Sequence, residues 1–151
     1  MNGEELRRLA EETFDWSVAL RRALHRIPEP GFEAFETQKL ICETLTALGI
    51  PFAAHRTWVV ADIVGARPGR VVALRADIDA LPVTEPEGCP FRSRREGWMH
   101  ACGHDAHTAI QLGAAKSLSS LKDRMSGSVR LLFQPAEETE GGAKPMVAAG
   151  V

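Results

Sequence analysis

Two segments near the N-terminus carry apolar residues at the intervals of an amphipathic helix. Over residues 4–27 the apolar positions recur at helix-like intervals among Arg and Glu, which predicts one long helix. Pro28 is expected to end it. The same spacing returns over residues 36–48, where the following Gly49 is typical of a helix C-terminus. The sequence therefore predicts two helices before the first strand.

Short runs rich in Val and Ile then change the period from helix to strand. Strands are predicted over residues 58–65 and 71–77, and a third over residues 128–133. The dipeptide Pro68-Gly69 lies between the first two runs and is typical of a turn. We therefore expect the first two strands to form a hairpin or to lie side by side.

Two further helices are predicted in the second half of the chain, over residues 107–121 and 143–149. Residues 80–101, by contrast, contain three prolines and no clear period. A long loop of this kind is usually functional in a compact domain. The order of the elements predicts an α/β fold in which helices cover a sheet.

Composition excludes several classes of protein. The chain has 151 residues, of which 44% are hydrophobic and 25% charged, as expected for one globular domain. A net charge of −2 without a basic patch argues against a nucleic-acid partner. No apolar run approaches the roughly 20 residues of a membrane span, and the charged N-terminus does not resemble a secretory signal. We expect a cytoplasmic protein with no membrane partner.

Three of the five histidines and one of the three cysteines lie between His100 and His107. If the backbone is extended there, Cys102 and His104 point to the same side and can share one ion. A thiolate with an imidazole suits zinc or another transition metal. Two alternatives stay open: the histidines cap the following helix, which suits His107 best, or Cys102 is a nucleophile activated by histidine.

Carboxylates follow two of the predicted strands, where α/β sheets usually build their sites. After the third predicted strand, Glu137 and Glu138 can divide the work, one binding a cation and the other accepting a proton from water. After the second, alternation points Asp77 and Asp79 the same way, where one can orient a ligating imidazole. The alternatives are a solvated acidic loop and an aspartate that caps the next turn.

Several segments together resemble the M20 peptidase family, in the branch of hippurate hydrolases, N-acyl-amino-acid amidohydrolases and auxin-conjugate hydrolases. They occur in that family's order and cover nearly the whole chain: LHRIPEPGFEAFET (24–37), ALRADIDALPV (73–83), MHACGHDAHTA (99–109), and VRLLFQPAEE with GGAKPMVAAGV (129–138, 141–151). The resemblance implies a three-layer α/β/α catalytic domain like that of zinc peptidases.

The resemblance also implies a role for each candidate residue, in a site that holds two divalent metal ions, manganese or zinc. The implied metal ligands are Cys102, His104 and Glu138. Glu137 is implied as the general base, and Asp79 as the aspartate that supports the site. Asp77 occupies the place where related peptidases carry a ligating histidine, which is typical of this branch.

The activity implied is hydrolysis of the amide bond of small, hippurate-like N-acyl amino acids to a carboxylic acid and an amino acid. Enzymes of this family continue well beyond residue 151, with further ligating histidines and a lid domain that usually mediates dimerisation. We therefore expect residues 1–151 to be the N-terminal part of the catalytic domain of a homodimeric parent. The alternative is an inactive truncated or split-gene product that at most binds metal.

Overall fold

The computed structural model describes residues 3–151. Its helices and strands follow one another in the order α1 (Gly3–His25), α2 (Phe35–Ala47), β1 (Phe52–His55), β2 (Trp58–Val64), β3 (Arg67–Asp77), α3 (His104–Leu121), β4 (Ser126–Gln134) and α4 (Ala143–Ala148). The predicted order is confirmed, with β1 added. The sequence does not predict β1 because its four residues, FAAH, have neither an apolar run nor an alternating pattern.

The strands form one mixed sheet in the order β1-β2-β4-β3. Strands β1, β2 and β4 pair antiparallel, whereas β3 and β4 run parallel and are joined through α3. Asp77 at the end of β3 is the register partner of Gln134 at the end of β4. The loops that follow these two strands therefore leave the sheet at the same edge.

The first two predicted strands correspond to β2 and β3, and their predicted pairing is wrong, because β4 lies between them. Pro68-Gly69 does not form a turn and lies inside β3, next to a register shift between Arg67 and Val71. Gly127 of β4 approaches the backbone of Arg70 at this shift, with a φ of +83°. Apolar runs identify strands, but they carry no information about which strand is the neighbour.

The hydrophobic core lies on one face of the sheet. Alternate residues of β2 and β4 point to this face and are buried: Val59, Ala61, Ile63, Leu131 and Phe133. Helices α2 and α3 cover them, and α1 packs chiefly against α3. Burial of each large apolar side chain contributes about 1.5–3 kcal/mol.

The opposite face of β2 and β4 is more polar. Asp62 accepts hydrogen bonds there from Nε and Nη2 of Arg130, at 2.9 and 3.0 Å. Residues 149–151, which follow α4, line a cavity together with this ion pair.

The predicted α/β fold class is confirmed. Among residues 3–151, no helix combines the length and the apolar character that a membrane span requires.

We predict that Gly127→Ala destabilises the protein more than Gly49→Ala. Both glycines have a positive φ, but a Cβ at Gly127 would collide with the backbone of Arg70, whereas nothing lies within 4 Å of one at Gly49. The φ strain alone costs about 1 kcal/mol, so Gly127→Ala should exceed that value and Gly49→Ala should not. Urea unfolding of both variants measures the difference, and equal losses would contradict the close approach.

Candidate metal centre

The candidate site lies at the edge where β3 and β4 end. Asp79 follows β3, Glu137 and Glu138 follow β4, and His104 is the first residue of α3. The expected extended backbone from Cys102 to His104 is wrong, because Gly103 between them has a φ of +84°. The two side chains nevertheless meet, since this turn brings the loop cysteine alongside the first turn of the helix.

Cys102, His104 and Glu138 form a group of metal-ligand side chains. Each offers one ligand atom, and these atoms all lie within 4.8 Å of one another. The predicted ligands are thus brought together from the 80–103 loop, the start of α3 and the β4 exit. A thiolate, an imidazole and a carboxylate are the ligand types that zinc takes in proteins.

The ring of His104 is oriented by Asp79. His104 Nδ1 lies 2.9 Å from the backbone carbonyl oxygen of Asp79, which can only accept a hydrogen bond. A neutral imidazole has one donor and one acceptor nitrogen, so Nε2 keeps the free lone pair. Nε2 faces the two glutamates, at 3.8 Å from Glu138 Oε1 and 3.9 Å from Glu137 Oε2.

The two glutamates differ in exposure. The side chain of Glu138 is 18% exposed and that of Glu137 is 41% exposed. Glu138 Oε1 is buried and has no hydrogen-bond partner among the residues described. A buried carboxylate oxygen without a partner is costly, unless a cation compensates it. The inward glutamate therefore fits a cation ligand, and the outward one reaches both the site and solvent.

Asp79 is fully buried and joins the two sides of the site. Its Oδ2 accepts a hydrogen bond from the backbone N–H of Glu138 at 3.0 Å, and its Oδ1 lies 3.4 Å from His104 Nδ1. Burial raises the pKa of Asp79, but hydrogen bonds from His104 and from the backbone N–H groups of Glu138 and Glu137 outweigh it. The pKa therefore lies below its ordinary value.

The pKa values of the two other central groups also respond to these carboxylates. Burial lowers the pKa of His104, but the carboxylate and carbonyl groups of Asp79 outweigh it, so the pKa is raised. The Glu138 carboxylate beside Cys102 raises the pKa of its thiol. A cysteine acts as a thiolate both as a nucleophile and as a metal ligand, so this raised pKa does not distinguish the two roles of Cys102.

Asp77, His104 and His107 form a second group whose ligand atoms also lie within 4.8 Å of one another, so His104 belongs to both groups. His107 is half exposed, and its Nδ1 lies 3.5 Å from Asp77 Oδ2, which also pairs with Arg75. His100 is buried, and burial lowers its pKa to about 4. No histidine caps α3, because its N-cap is Gly103 without a side-chain hydrogen bond.

An ionic cluster behind the first turn of α3 is not predicted from the sequence. It consists of Arg21, His25, Glu85 and Asp105. The three hydrogen bonds that join Arg21 and His25 of α1 to Asp105 and Glu85 connect residues 60 to 84 positions apart. No local motif indicates such a cluster, because its members meet only after α1 has packed against α3.

The sequence of this chain matches a known protein family. A sequence model described as Peptidase family M20/M25/M40 matches residues 73–151. An N-acyl-L-amino acid amidohydrolase of Geobacillus stearothermophilus is 47% identical over 154 residues, a match that covers 100% of this chain and 42% of that protein. Thermostable carboxypeptidase 1 of Saccharolobus solfataricus is 48% identical, and the match covers 98% of this chain and 39% of that protein.

A solved structure matches the fold. The Bacillus subtilis YXEP protein, described as a dinuclear metal binding peptidase from the M20 family, superposes with a TM-score of 0.89 and 42% identity. The superposition covers 93% of this chain and 40% of that chain. The present chain spans about two fifths of the length of the curated relatives named above. On the family match and this structural agreement, the chain belongs to peptidase family M20/M25/M40.

Proposed function

We propose that this chain is the N-terminal part of the catalytic domain of a metal-dependent amidohydrolase. The reaction is hydrolysis of the amide bond of an N-acyl amino acid, which yields a carboxylic acid and a free amino acid. The observation that carries the proposal is the buried, unpartnered Oε1 of Glu138, which faces Nε2 of His104 at 3.8 Å beside Cys102. The similarity to the N-acyl-L-amino acid amidohydrolase of Geobacillus stearothermophilus supports the class of substrate.

Cys102, His104 and Glu138 are the side chains that would hold a divalent ion, zinc or manganese. The orphaned carboxylate oxygen and the mixed sulfur, nitrogen and oxygen donors fit such an ion. A bound divalent ion supplies Lewis acidity and makes water acidic enough to lose a proton near neutral pH. Two ions, as in the dinuclear neighbour, need more than these three ligands. We propose that the parent protein supplies the others.

Glu137 acts as the general base in this proposal. Its Oε2 lies 3.9 Å from His104 Nε2, and its side chain is the more exposed of the pair, so it can reach a water molecule at the site. The carboxylate accepts a proton as water attacks the carbonyl carbon of the amide. It then returns the proton to the leaving nitrogen as the C–N bond breaks. The amino acid leaves with a free amino group.

Glu137→Gln and Glu138→Gln should separate catalysis from metal binding. Both changes keep the size of the side chain and remove its charge. We expect Glu138→Gln to weaken Zn²⁺ binding at least tenfold, because the buried ligand oxygen loses its charge. Glu137→Gln should keep the affinity and lower hydrolysis of hippurate or N-acetyl amino acids by at least about 10²-fold.

Zinc affinity is measured on residues 1–151 by competition with a chromophoric chelator, and turnover is measured on the intact gene product by release of the amino acid. If Glu137→Gln loses zinc while Glu138→Gln retains it, the two roles are reversed. If the isolated 151 residues hydrolyse the substrates at the full rate, the proposal that further ligands are required is wrong.

The proposed supporting role of Asp79 predicts a pH-dependent stability of the metal-free protein. The pKa of Asp79 is below its ordinary 3.8, so its contribution is present above that pH and is lost as the pH falls through the folded-state value. The pKa of His104 is above its ordinary 6.5, so its contribution is present below that pH and is lost as the pH rises through the folded-state value.

The free energy of unfolding of the wild type should therefore exceed that of Asp79→Asn most strongly between about pH 4 and 6.5. The advantage should shrink on both sides of this range. Urea unfolding in the presence of a chelator, repeated from pH 3 to pH 8, measures the difference. A constant difference over this range would show that the Asp79–His104 interaction does not titrate as the geometry predicts.

A further inference from the structure

The last residue of α1, His25, is buried between two carboxylates. Its Nδ1 lies 2.7 Å from Asp105 Oδ2 and its Nε2 lies 3.0 Å from Glu85 Oε1. Carboxylate oxygens only accept hydrogen bonds, so both bonds require a hydrogen on each ring nitrogen. His25 thus bridges two acidic residues that belong to different segments of the chain.

The two carboxylates hold different parts of the structure. Asp105 Oδ2 also accepts a hydrogen bond from Arg21 Nε at 2.8 Å, and the Asp105 side chain is completely buried. Glu85 Oε2 accepts the backbone N–H of Ser93 at 2.6 Å and so holds the long loop. Buried charges are tolerated when they are paired in this way. One arm of His25 therefore anchors α3, and the other anchors the loop.

The Asp105 arm leads directly to the candidate metal centre. Asp105 follows His104 in the first turn of α3, and the N-cap Gly103 gives that turn no side-chain hydrogen bond. The His104 ring is held from the front by the Asp79 carbonyl at 2.9 Å. Its backbone is held from behind through Asp105. Both anchors therefore act on the residue that carries Nε2 or on its neighbour in the chain.

We propose that His25 is a positioning residue for the metal centre, acting through Asp105 on the backbone of His104. This inference rests on the proposed function, because it assumes that His104 binds the ion. Glu85, by contrast, binds the backbone of Ser93, which is not adjacent in the chain to a candidate ligand. Loss of the Asp105 arm should therefore weaken metal binding, whereas loss of the Glu85 arm should not.

Two variants of His25 separate the arms. In His25→Asn the side-chain amide nitrogen replaces Nδ1 and still faces Asp105, whereas in His25→Gln it replaces Nε2 and faces Glu85. Each variant leaves one buried carboxylate without its imidazole partner, so a purely structural role predicts similar losses for both. Leu24→Ala is the control, because it removes a fully buried neighbour from α1 and leaves the ionic cluster intact.

The measurement is Co²⁺ binding to residues 1–151, monitored through the thiolate-to-cobalt charge-transfer band in the near ultraviolet. We expect His25→Gln to weaken Co²⁺ binding at least tenfold, and His25→Asn and Leu24→Ala to stay within about threefold of the wild type. Cys102→Ser should remove the band. Cys89→Ser should keep it, which excludes the thiol that lies near Glu85 and His25.

The partners of His25 provide a second matched pair if either His25 variant does not fold. Asp105→Asn should weaken Co²⁺ binding, and Glu85→Gln should leave it unchanged. Equal effects within the pair of variants that folds would overturn the positioning role while the wild-type band still supports the proposed metal centre. A wild-type protein without a thiolate band would overturn the metal centre and this inference with it.

Discussion

The parallel pairing of β3 with β4 determines where the candidate ligands lie. Because Asp77 and Gln134 are register partners at the ends of these strands, the loop with Asp79 and the loop with Glu137 and Glu138 leave the same edge of the sheet. Parallel neighbours require a crossover, and here α3 provides it. The first turn of that helix begins at the same edge, so His104 lies beside the residues that follow β3 and β4.

Asp79 makes this juxtaposition rigid. Its carbonyl oxygen fixes the tautomer of His104, and its carboxylate fixes the backbone of Glu138. A buried carboxylate is unfavourable alone, but these hydrogen bonds keep its pKa low and the group ionised. The hydrogen bonds thus offset the free-energy cost of burying Asp79, and the same bonds orient two candidate ligands. Among the residues described, Oε1 of Glu138 and Oδ1 of Asp79 are buried without a hydrogen-bond partner, and a cation held by Glu138 would restore the balance of charge there.

Sequence alone predicts the elements whose signal is local. The apolar periods of α1, α2 and α3, the Val-rich runs of β2 and β3 and the apolar run of β4 all correspond to observed elements. The grouping of Cys102 with His104 and Glu138 is also consistent with the prediction, although the turn at Gly103 differs from the extended backbone assumed for it.

What the sequence does not predict depends on contacts between distant residues. The insertion of β4 between β2 and β3 is a matter of pairing, and the short strand β1 exists only because β2 provides a partner. The bridge from His25 to Asp105 joins positions 80 residues apart. None of these features leaves a local pattern, because each is created when packed elements bring polar groups into the same buried space.

The central claim is that Cys102, His104 and Glu138 bind one divalent ion together. Zinc K-edge X-ray absorption on residues 1–151, loaded with one equivalent of Zn²⁺, tests it most directly. We predict one sulfur neighbour at about 2.3 Å among nitrogen and oxygen neighbours at about 2.0–2.2 Å, and loss of that sulfur in Cys102→Ser. A wild-type spectrum with only nitrogen and oxygen neighbours, or a sulfur signal that persists in Cys102→Ser, would contradict it.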